Sequence, residues 1–151
     1  MITIEEFKKK QTSKTRLIGL DLGSKRIGVS ICDERQSIAT PFKTIDRINT
    51  AHLIDELKEI IKENNIKGIV IGNPINMDGS SGSSAQSVKD ISINISKSID
   101  LPVFLWDERL STVGAFNLSK QLDVNISKKL KKIDENAAAF ILQGAIDYLN
   151  N

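Results

Sequence analysis

The chain has 151 residues, of which 40% are hydrophobic and 26% are charged, a composition typical of one globular domain with a hydrophobic core. The single cysteine, Cys32, excludes an internal disulfide and a thiolate metal cluster, and the single histidine, His52, gives little support to a histidine-based metal site or a Ser-His-Asp triad. The formal net charge of +2 is too small to identify a nucleic-acid partner by itself. No apolar run approaches the length of a membrane span and the N-terminus lacks a signal-peptide core, so we expect a cytoplasmic protein without a membrane partner.

Apolar segments of the right length predict β-strands near residues 16–22, 27–33, 37–45, 68–72 and 103–106. Pro41 indicates that the third of these is an edge strand. We expect Gly23 to adopt a positive φ in the turn between the first two strands. Cys32 alternates with apolar residues in the second strand, which favours a packing role.

Apolar residues at helical spacing predict helices near residues 50–64, 83–99, 111–122 and 134–149. Thr50 is predicted to cap the first of these, and Ser83 with Gln86 is predicted to form a capping box at the second. The segment 123–133 is predicted to be irregular and basic. Residues 1–15 are interpreted as a polar N-terminal extension, a mobile tail or a short helix, before a single domain over 16–151.

The order of these elements predicts an α/β fold. Three strands joined by short links favour an antiparallel meander, and the two later strands should join it in parallel through right-handed crossovers. We therefore expect a five-stranded mixed sheet in the order 3-2-1-4-5 with helices on both faces, which is the element order of an RNase H-like domain. In that fold, carboxylates gather at one end of the sheet and on the last helix.

Carboxylates occur at three suitable places in this element order. Asp21 lies in the first strand, Asp107 and Glu108 follow the fifth, and Asp134 lies one turn before Ala138 on the buried face of the last helix. Asp and Glu oxygens suit Mg²⁺ or Mn²⁺, which can activate water for phosphodiester hydrolysis.

We predict Asp21, Glu108 and Asp134 as the catalytic metal ligands. The strand ends should lie about 10 Å apart, so the longer Glu108 is favoured over Asp107. The structural alternatives are a helix cap at Asp134 and a turn or salt bridge to Arg109 at Asp107 and Glu108.

Basic residues flank the predicted carboxylate cluster and are candidates for binding substrate phosphates: Lys25, Arg26, Arg109, Lys128, Lys129, Lys131 and Lys132. The alternatives are ion pairs with nearby carboxylates and, for the lysine run, a solvated helix face. The segment 73–84, rich in Gly, Ser, Pro and Asn, is predicted to be a loop that closes over substrate.

Four motifs resemble the YqgF (RuvX) family, in the family's order and over roughly residues 16–149. They are Gly19-Leu20-Asp21-Leu22-Gly23-Ser24-Lys25-Arg26-Ile27-Gly28-Val29, Gly72-Asn73-Pro74-Ile75-Asn76-Met77-Asp78-Gly79-Ser80, Asp107-Glu108-Arg109-Leu110-Ser111-Thr112 and Asp134-Glu135-Asn136-Ala137-Ala138-Ala139-Phe140-Ile141-Leu142-Gln143. The resemblance implies an RNase H-like nuclease that acts on the 16S ribosomal RNA precursor, or a Holliday-junction resolvase. It implies nucleic acid as partner, with structured RNA favoured over branched DNA, ribosomal precursor particles as a further partner, and a monomer or homodimer. Asn73 replaces a residue that is usually apolar in the family, and residues 1–15 extend beyond the usual start.

Two other classes of protein fit part of the pattern. Sugar-kinase and actin-like ATPases open with a similar Asp-x-Gly hairpin, but they need two lobes around the nucleotide and this chain has the length of one. A non-catalytic nucleic-acid-binding or ribosome-associated module would keep the fold, although loss of a carboxylate would have favoured it and all three positions are filled.

Overall fold

The computed structural model describes residues 1–75, 78–79, 82–110 and 126–151, with side chains in the last range described from Asn136 onward. The strands are β1 (Leu17–Leu22), β2 (Arg26–Cys32), β3 (Ala39–Asp46), β4 (Gly68–Asn73) and β5 (Val103–Asp107). The helices are α1 (Ile4–Lys10), α2 (Thr50–Asn64), α3 (Ser83–Ser98) and α4 (Ile126–Leu149), and a 3₁₀ turn covers Glu108–Leu110. The helix predicted over 111–122 lies outside the described residues. No helix in the described part of the chain has both the length and the apolar character needed to cross a membrane.

The five strands form one mixed sheet in the order β3-β2-β1-β4-β5, as the sequence predicts. β1, β2 and β3 pair antiparallel, whereas β4 pairs in parallel with both β1 and β5. Pro41 lies on the edge strand β3, where its missing N–H removes no bond from a central ladder. The carboxyl ends of β1, β4 and β5 therefore meet at one edge of the sheet.

Helices cover both faces of this sheet, and the side-chain alternation of β1 shows which residues face which layer. Ile18 and Leu20 are buried with residues of α2 and α3, and Leu17 is buried with residues of α1 and α4. Asp21 has the same parity as Leu17 and so lies on the α4 face.

α4 begins at Ile126, eight residues before the predicted start at Asp134. From Ile126 onward, the segment predicted to be irregular is helical in the structure. Lysine is a good helix former, and Ile126, Leu130 and Ile133 recur at helical spacing, so the run of charge concealed a helical pattern.

The structure corrects three further predictions about helix caps and a turn. Asn49, rather than Thr50, caps α2 and accepts the N–H of His52 at 2.8 Å. The capping box at Ser83 is not formed: Gly82 is the cap residue, and the Gln86 side chain bonds Asp90 instead. Gly23 has no positive φ; an added Cβ would lie 2.5 Å from the Arg26 carbonyl oxygen, so the turn requires glycine for close backbone approach.

The N-terminal segment forms the short helix α1, one of the two forms expected for it. Ile4 and Phe7 are buried, and the Phe7 ring stacks on Phe104 of β5 with 4.7 Å between ring centroids. Cys32 is buried as a packing residue, and its sulfur accepts the Leu17 N–H at 3.1 Å.

Candidate active site

Asp21 lies near the carboxyl end of β1, where the sheet meets solvent. It is opposite Gly28 of β2 and, by continuation of the β1–β4 register, beside Gly72 of β4. Its side chain is half-buried on the α4 face. A strand position therefore holds this carboxylate.

Glu108 reaches Asp21 across β4. It follows β5 directly, and its side chain passes over Gly72, where an added Cβ would lie 3.0 Å from the Glu108 Cγ atom. The carboxyl groups of Glu108 and Asp21 share a hydrogen bond. Because β1 and β5 are two strands apart, about 10 Å, the contact depends on the longer Glu side chain and on the missing side chain at Gly72.

The pKa of Glu108 is raised to about 7. Burial is the largest cause, followed by the negative charge of Asp21, the hydrogen bond between the two carboxyl groups, and the charge of Asp107. A hydrogen bond between two carboxyl groups needs a proton, so protonated Glu108 donates to the Asp21 carboxylate. The pair is therefore a site where added positive charge is favourable.

Asp107 is bonded to Arg109 rather than directed at Asp21. The Arg109 guanidinium donates from Nε at 3.0 Å and from Nη2 at 2.6 Å to the Asp107 carboxylate, which also accepts the Arg109 N–H at 3.0 Å. This bidentate pair holds the pKa of Asp107 below its usual range and raises the pKa of Arg109. Asp107 thus fixes the Arg109 side chain beside Glu108.

The loop after β4 lies close to the same arginine. Asp78 acts electrostatically on Arg109, and a Cβ on Gly79 would lie 3.6 Å from its Nη1 atom. Gly79 has φ +89°, a conformation that favours glycine. The described part of this loop is therefore placed next to the Asp107–Arg109 pair.

The direction of α4 across the sheet follows from two hydrogen bonds. The Gln143 side chain accepts the N–H of Ala39, opposite the last residue of β2, at 2.8 Å. The Ser30 hydroxyl, in the middle of β2, donates to the Ala138 carbonyl at 2.7 Å. Towards its N-terminus, α4 therefore runs along β2 towards Gly28.

Asp134 belongs to α4, one turn or about 6 Å before Ala138. Gly28 lies two residues, about 6–7 Å, before Ser30 on β2, so we expect the Asp134 backbone near the level of Gly28, the partner of Asp21 in the sheet. The Asp134 side chain lies outside the described residues. Its role as the third ligand stays a prediction, supported by the level of its backbone.

The predicted phosphate-binding residues lie around this edge of the sheet to different degrees. Lys25 is exposed in the β1–β2 turn, and Arg26 is half-buried at the start of β2. The first turns of α4 carry Lys128, Lys129, Lys131 and Lys132, whose side chains lie outside the described residues.

Gly72 and Arg47 lie near the site and were not singled out by the sequence, whereas Asn73 was noted there as a departure from the family pattern. Gly72 makes room for Glu108; its place in the glycine motif was the available signal. Asn73 has a buried Oδ1 atom without a hydrogen-bond partner among the described residues. Arg47, after β3, donates to the carbonyl oxygen of Gly23 at 2.7 Å, and no motif pointed to it.

Known proteins resemble this chain either in sequence or in fold. The family described as "RuvX: Holliday junction resolvase" matches residues 15–148. A protein of Pelagibacter ubique (strain HTCC1062) named "Putative pre-16S rRNA nuclease" is 79% identical over 151 residues, which is 100% of both chains. A protein of Rhodobacter capsulatus with the same name is 44% identical over 133 residues, 88% of this chain and 84% of that one.

Two solved structures share the fold at low sequence identity. Thermus thermophilus RuvC in complex with a Holliday junction substrate has a TM-score of 0.55 and 9% identity, covering 89% of this chain and 94% of that one. The yeast mitochondrial Holliday junction resolvase Ydc2 has a TM-score of 0.54 and 12% identity, covering 97% of this chain and 84% of that one. The predicted RNase H-like fold is confirmed.

Proposed function

Because this chain belongs to the RuvX family, we propose that it is a metal-dependent nuclease that hydrolyses phosphodiester bonds, with the 16S ribosomal RNA precursor as its favoured substrate. The observation that carries the proposal is the contact between the Asp21 and Glu108 carboxyl groups at the carboxyl ends of β1 and β5. The names of the relatives support the choice of RNA.

The donor atoms at this contact fit Mg²⁺ or Mn²⁺. Asp21 and Glu108 offer hard carboxylate oxygens. Because Glu108 is partly buried next to the charge of Asp21, ionising both carboxyl groups is unfavourable without a cation. Within the described residues, no group of three or more His, Cys, Asp or Glu side chains is placed to hold a metal ion. Asp134 is the proposed third ligand. When bound, the metal lowers the pKa of the attacking water and neutralises charge on the leaving oxygen.

The other polar residues position the substrate strand. Arg109, which Asp107 holds beside Glu108, is proposed to bind a phosphate next to the reacting one. Lys25 and Arg26 in the β1–β2 turn, and Lys128 and Lys129 in α4, are proposed to bind the strand on either side. These contacts recognise the backbone and carry no base sequence information.

Branched DNA is the second candidate substrate, because the family that matches residues 15–148 is described as a Holliday junction resolvase. A third outcome is a nucleic-acid-binding module of the same fold without cleavage. Both are distinguished from the proposed function by the products formed.

The test incubates purified protein, with Mg²⁺ or Mn²⁺, with an end-labelled 16S precursor fragment and with a four-way DNA junction, and resolves the products on gels. We expect metal-dependent cleavage of the RNA. Removing a metal ligand in Asp21→Asn or Glu108→Gln should reduce the rate more than about 100-fold, beyond the loss usual for outer-shell partners. Asp55→Asn, on an exposed position of α2, is the matched control and should cleave at the wild-type rate.

Thermal unfolding gives a second measurement on the same proteins. Mn²⁺ should raise the melting temperature of the wild type and of Asp55→Asn but not of Asp21→Asn. If Asp21→Asn cleaves at the wild-type rate, the proposed mechanism is wrong; if the wild type binds nucleic acid without cleaving it, the binding module replaces the nuclease.

A further inference from the structure

A cavity of about 270 Å³ opens beside the β1–β2 turn, on the opposite face of β1 from the carboxyl pair. Leu22 lines it, whereas the preceding residue, Asp21, faces α4. Consecutive Cα atoms are about 3.8 Å apart, so the cavity begins at the same strand end as the candidate active site. Its polar lining consists of one cation and four hydroxyl groups: Arg47, Ser24, Ser83, Ser84 and Ser87.

Arg47 is held in this cavity by neutral acceptors. Its guanidinium donates to the Gly23 carbonyl oxygen at 2.7 Å and to the Ser87 hydroxyl at 3.4 Å, and its backbone N–H donates to the Lys25 carbonyl oxygen at 3.0 Å. Across the described ranges, no Asp or Glu forms an ion pair with Arg47. Arg109 differs, because it forms an ion pair with Asp107 at 2.6 Å.

A half-buried cation without a carboxylate partner leaves its charge available to an anion. A guanidinium has five N–H donors. The bonds from the Arg47 guanidinium to Gly23 and Ser87 therefore leave donors for a ligand. Ser24, Ser83 and Ser84 are exposed, and each hydroxyl can donate one further hydrogen bond. An arginine surrounded by hydroxyl groups is the donor set that suits a phosphate.

We propose that this cavity binds a phosphodiester of the nucleic-acid strand that lies next to the scissile phosphodiester, with Arg47 as the principal contact. The proposal rests on the proposed nuclease function, since it assumes that the scissile phosphate lies at Asp21 and Glu108. The hydrogen bond to Gly23 holds the Arg47 guanidinium against the turn that follows Asp21. A phosphate bound to Arg47 would therefore fix the register of the nucleic-acid strand at the active site.

The experiment measures equilibrium binding of an oligonucleotide substrate in the Asp21→Asn background, which prevents cleavage. Arg47→Gln should weaken binding about tenfold at low salt, as expected for loss of a charged hydrogen bond, and should reduce the slope of log K against log salt by about 1. Lys58→Gln removes the same charge from an exposed position on α2 and should change binding by less than about twofold.

Substrates with one methylphosphonate linkage at a time locate the phosphate. One linkage near the cleavage position should weaken binding to the Arg47 protein and have no effect on Arg47→Gln, while the other linkages affect both proteins equally. The double variant Ser24→Ala/Ser84→Ala leaves the Gly23 bond intact and should reduce the effect of the same linkage. This variant decides the matter if Arg47→Gln does not fold.

Four results would overturn the proposal. The first is an equal effect of Arg47→Gln and Lys58→Gln on binding, and the second is an Arg47→Gln effect that is the same at every linkage. The third is unchanged binding together with a loss of cleavage rate when Arg47→Gln is made with Asp21 intact, and the fourth is an effect that appears only when the substrate has a 5′-terminal phosphate. The third would make Arg47 a positioning residue for the turn, and the fourth would make the cavity a terminal-phosphate site. A wild type that binds but does not cleave contradicts the nuclease function alone. A wild type that binds neither RNA nor DNA overturns both.

Discussion

The protonation of Glu108 depends on its neighbour Asp21 and, in the proposed site, on a bound metal ion. Its neutral form is favoured by burial and by the charge of Asp21, and its ionised form is the one that can coordinate a cation. In the metal-free protein, the two carboxyl groups share one proton in the form of the pair that prevails below about pH 7. Metal binding must release that proton, so metal affinity should increase as the pH rises through about 7.

The same pKa gives a prediction for the stability of the metal-free protein. Because the pKa of Glu108 rises from 4.5 to about 7 on folding, the folded state binds more protons than the unfolded state between these values. The free energy of unfolding should therefore decrease as the pH rises from 4.5 to about 7. The decrease should be at most about 3 kcal/mol, the full value for a shift of this size. Denaturant unfolding at a series of pH values, in the presence of EDTA, measures it.

Two variants isolate the contribution of Glu108. Glu108→Gln should abolish the decrease, because glutamine does not titrate. Asp107→Asn should retain the decrease in the free energy of unfolding. Arg109 lowers the pKa of Asp107, so Asp107 changes stability only at more acidic pH. A decrease of equal size in Glu108→Gln would mean that another group is responsible.

At the residue level, the sequence predicts the carboxylates better than their surroundings. An aspartate inside an apolar strand and an Asp-Glu pair after another strand are visible without a structure, and the choice of Glu108 over Asp107 follows from strand spacing. The place of Arg47 depends on how the end of β3 folds back on the β1–β2 turn. No local pattern encodes that contact.

Packing between elements decides whether the two carboxyl groups can meet. Gly72 lies on β4 between them, and a Cβ there would be 2.5 Å from Ile141 Cδ1 and 3.0 Å from Glu108 Cγ. Ile141 belongs to the buried face of α4 and has little freedom to move. β4 can therefore carry no side chain at this position without displacing a neighbour.

Gly72→Ala should separate Glu108 from Asp21 more than it unfolds the protein. Overpacking of this kind usually lowers stability by about 1–3 kcal/mol, whereas a displaced ligand should remove most of the metal-dependent rise in melting temperature. Thermal melts with and without Mn²⁺, together with cleavage rates, separate the two effects. Gly68→Ala is the control for an overpacked methyl group, since it lies at the other end of β4, where an added Cβ would be 2.8 Å from Leu17 Cδ2.

If Gly72→Ala keeps the full metal-dependent rise in melting temperature, the space at Gly72 is not needed for metal binding. A Gly72→Ala protein that fails to fold would show that Ile141, rather than Glu108, limits the space. The double variant Gly72→Ala/Ile141→Val, which shortens the neighbour, then tests the Glu108 effect separately.

The elements themselves were predicted to different degrees. All five strands and the end of α2 at Asn64–Asn65 follow from apolar runs and turn residues. The start of α4 was not predicted, because a run of lysines resembles a solvated loop until the spacing of the apolar residues between them is considered. The caps of α2 and α3 differ by one residue from prediction: Asn49 caps α2 in place of the adjacent Thr50, and Gly82 begins α3 without a side-chain capping bond.

Across the whole molecule, strand order creates the site. The order β3-β2-β1-β4-β5 places the carboxyl ends of β1 and β5 on either side of β4, and α4 crosses the sheet towards the same edge. This arrangement follows from the general rule of right-handed crossovers, which is why the topology was predictable. The crossover rule does not predict the conformation of the segment between β5 and α4. The helix predicted there lies outside the described residues.

The distribution of charge over the molecule gives the last prediction. Replacing Lys128, Lys129, Lys131 and Lys132 with Ala should weaken nucleic-acid binding and reduce the slope of log K against log salt by about 3, because each of the four lost phosphate contacts removes about 0.7–0.9 from the slope. Cleavage at low salt should persist, since the carboxyl pair is unchanged. Binding constants over a salt series, measured beside product gels, test both statements.

The matched control replaces four exposed lysines on α2 and α3: Lys58, Lys62, Lys89 and Lys97. Both quadruple variants have the same formal net charge, so any difference between them reflects where the charge lies. If the two variants have equal salt slopes, the lysines of α4 form a solvated helix face and bind no phosphate. Asp21→Asn should show the opposite behaviour, with the wild-type salt slope and no cleavage. Only a surface that binds substrate independently of the catalytic carboxylates gives both results, because steering by net charge would act equally through either set of lysines.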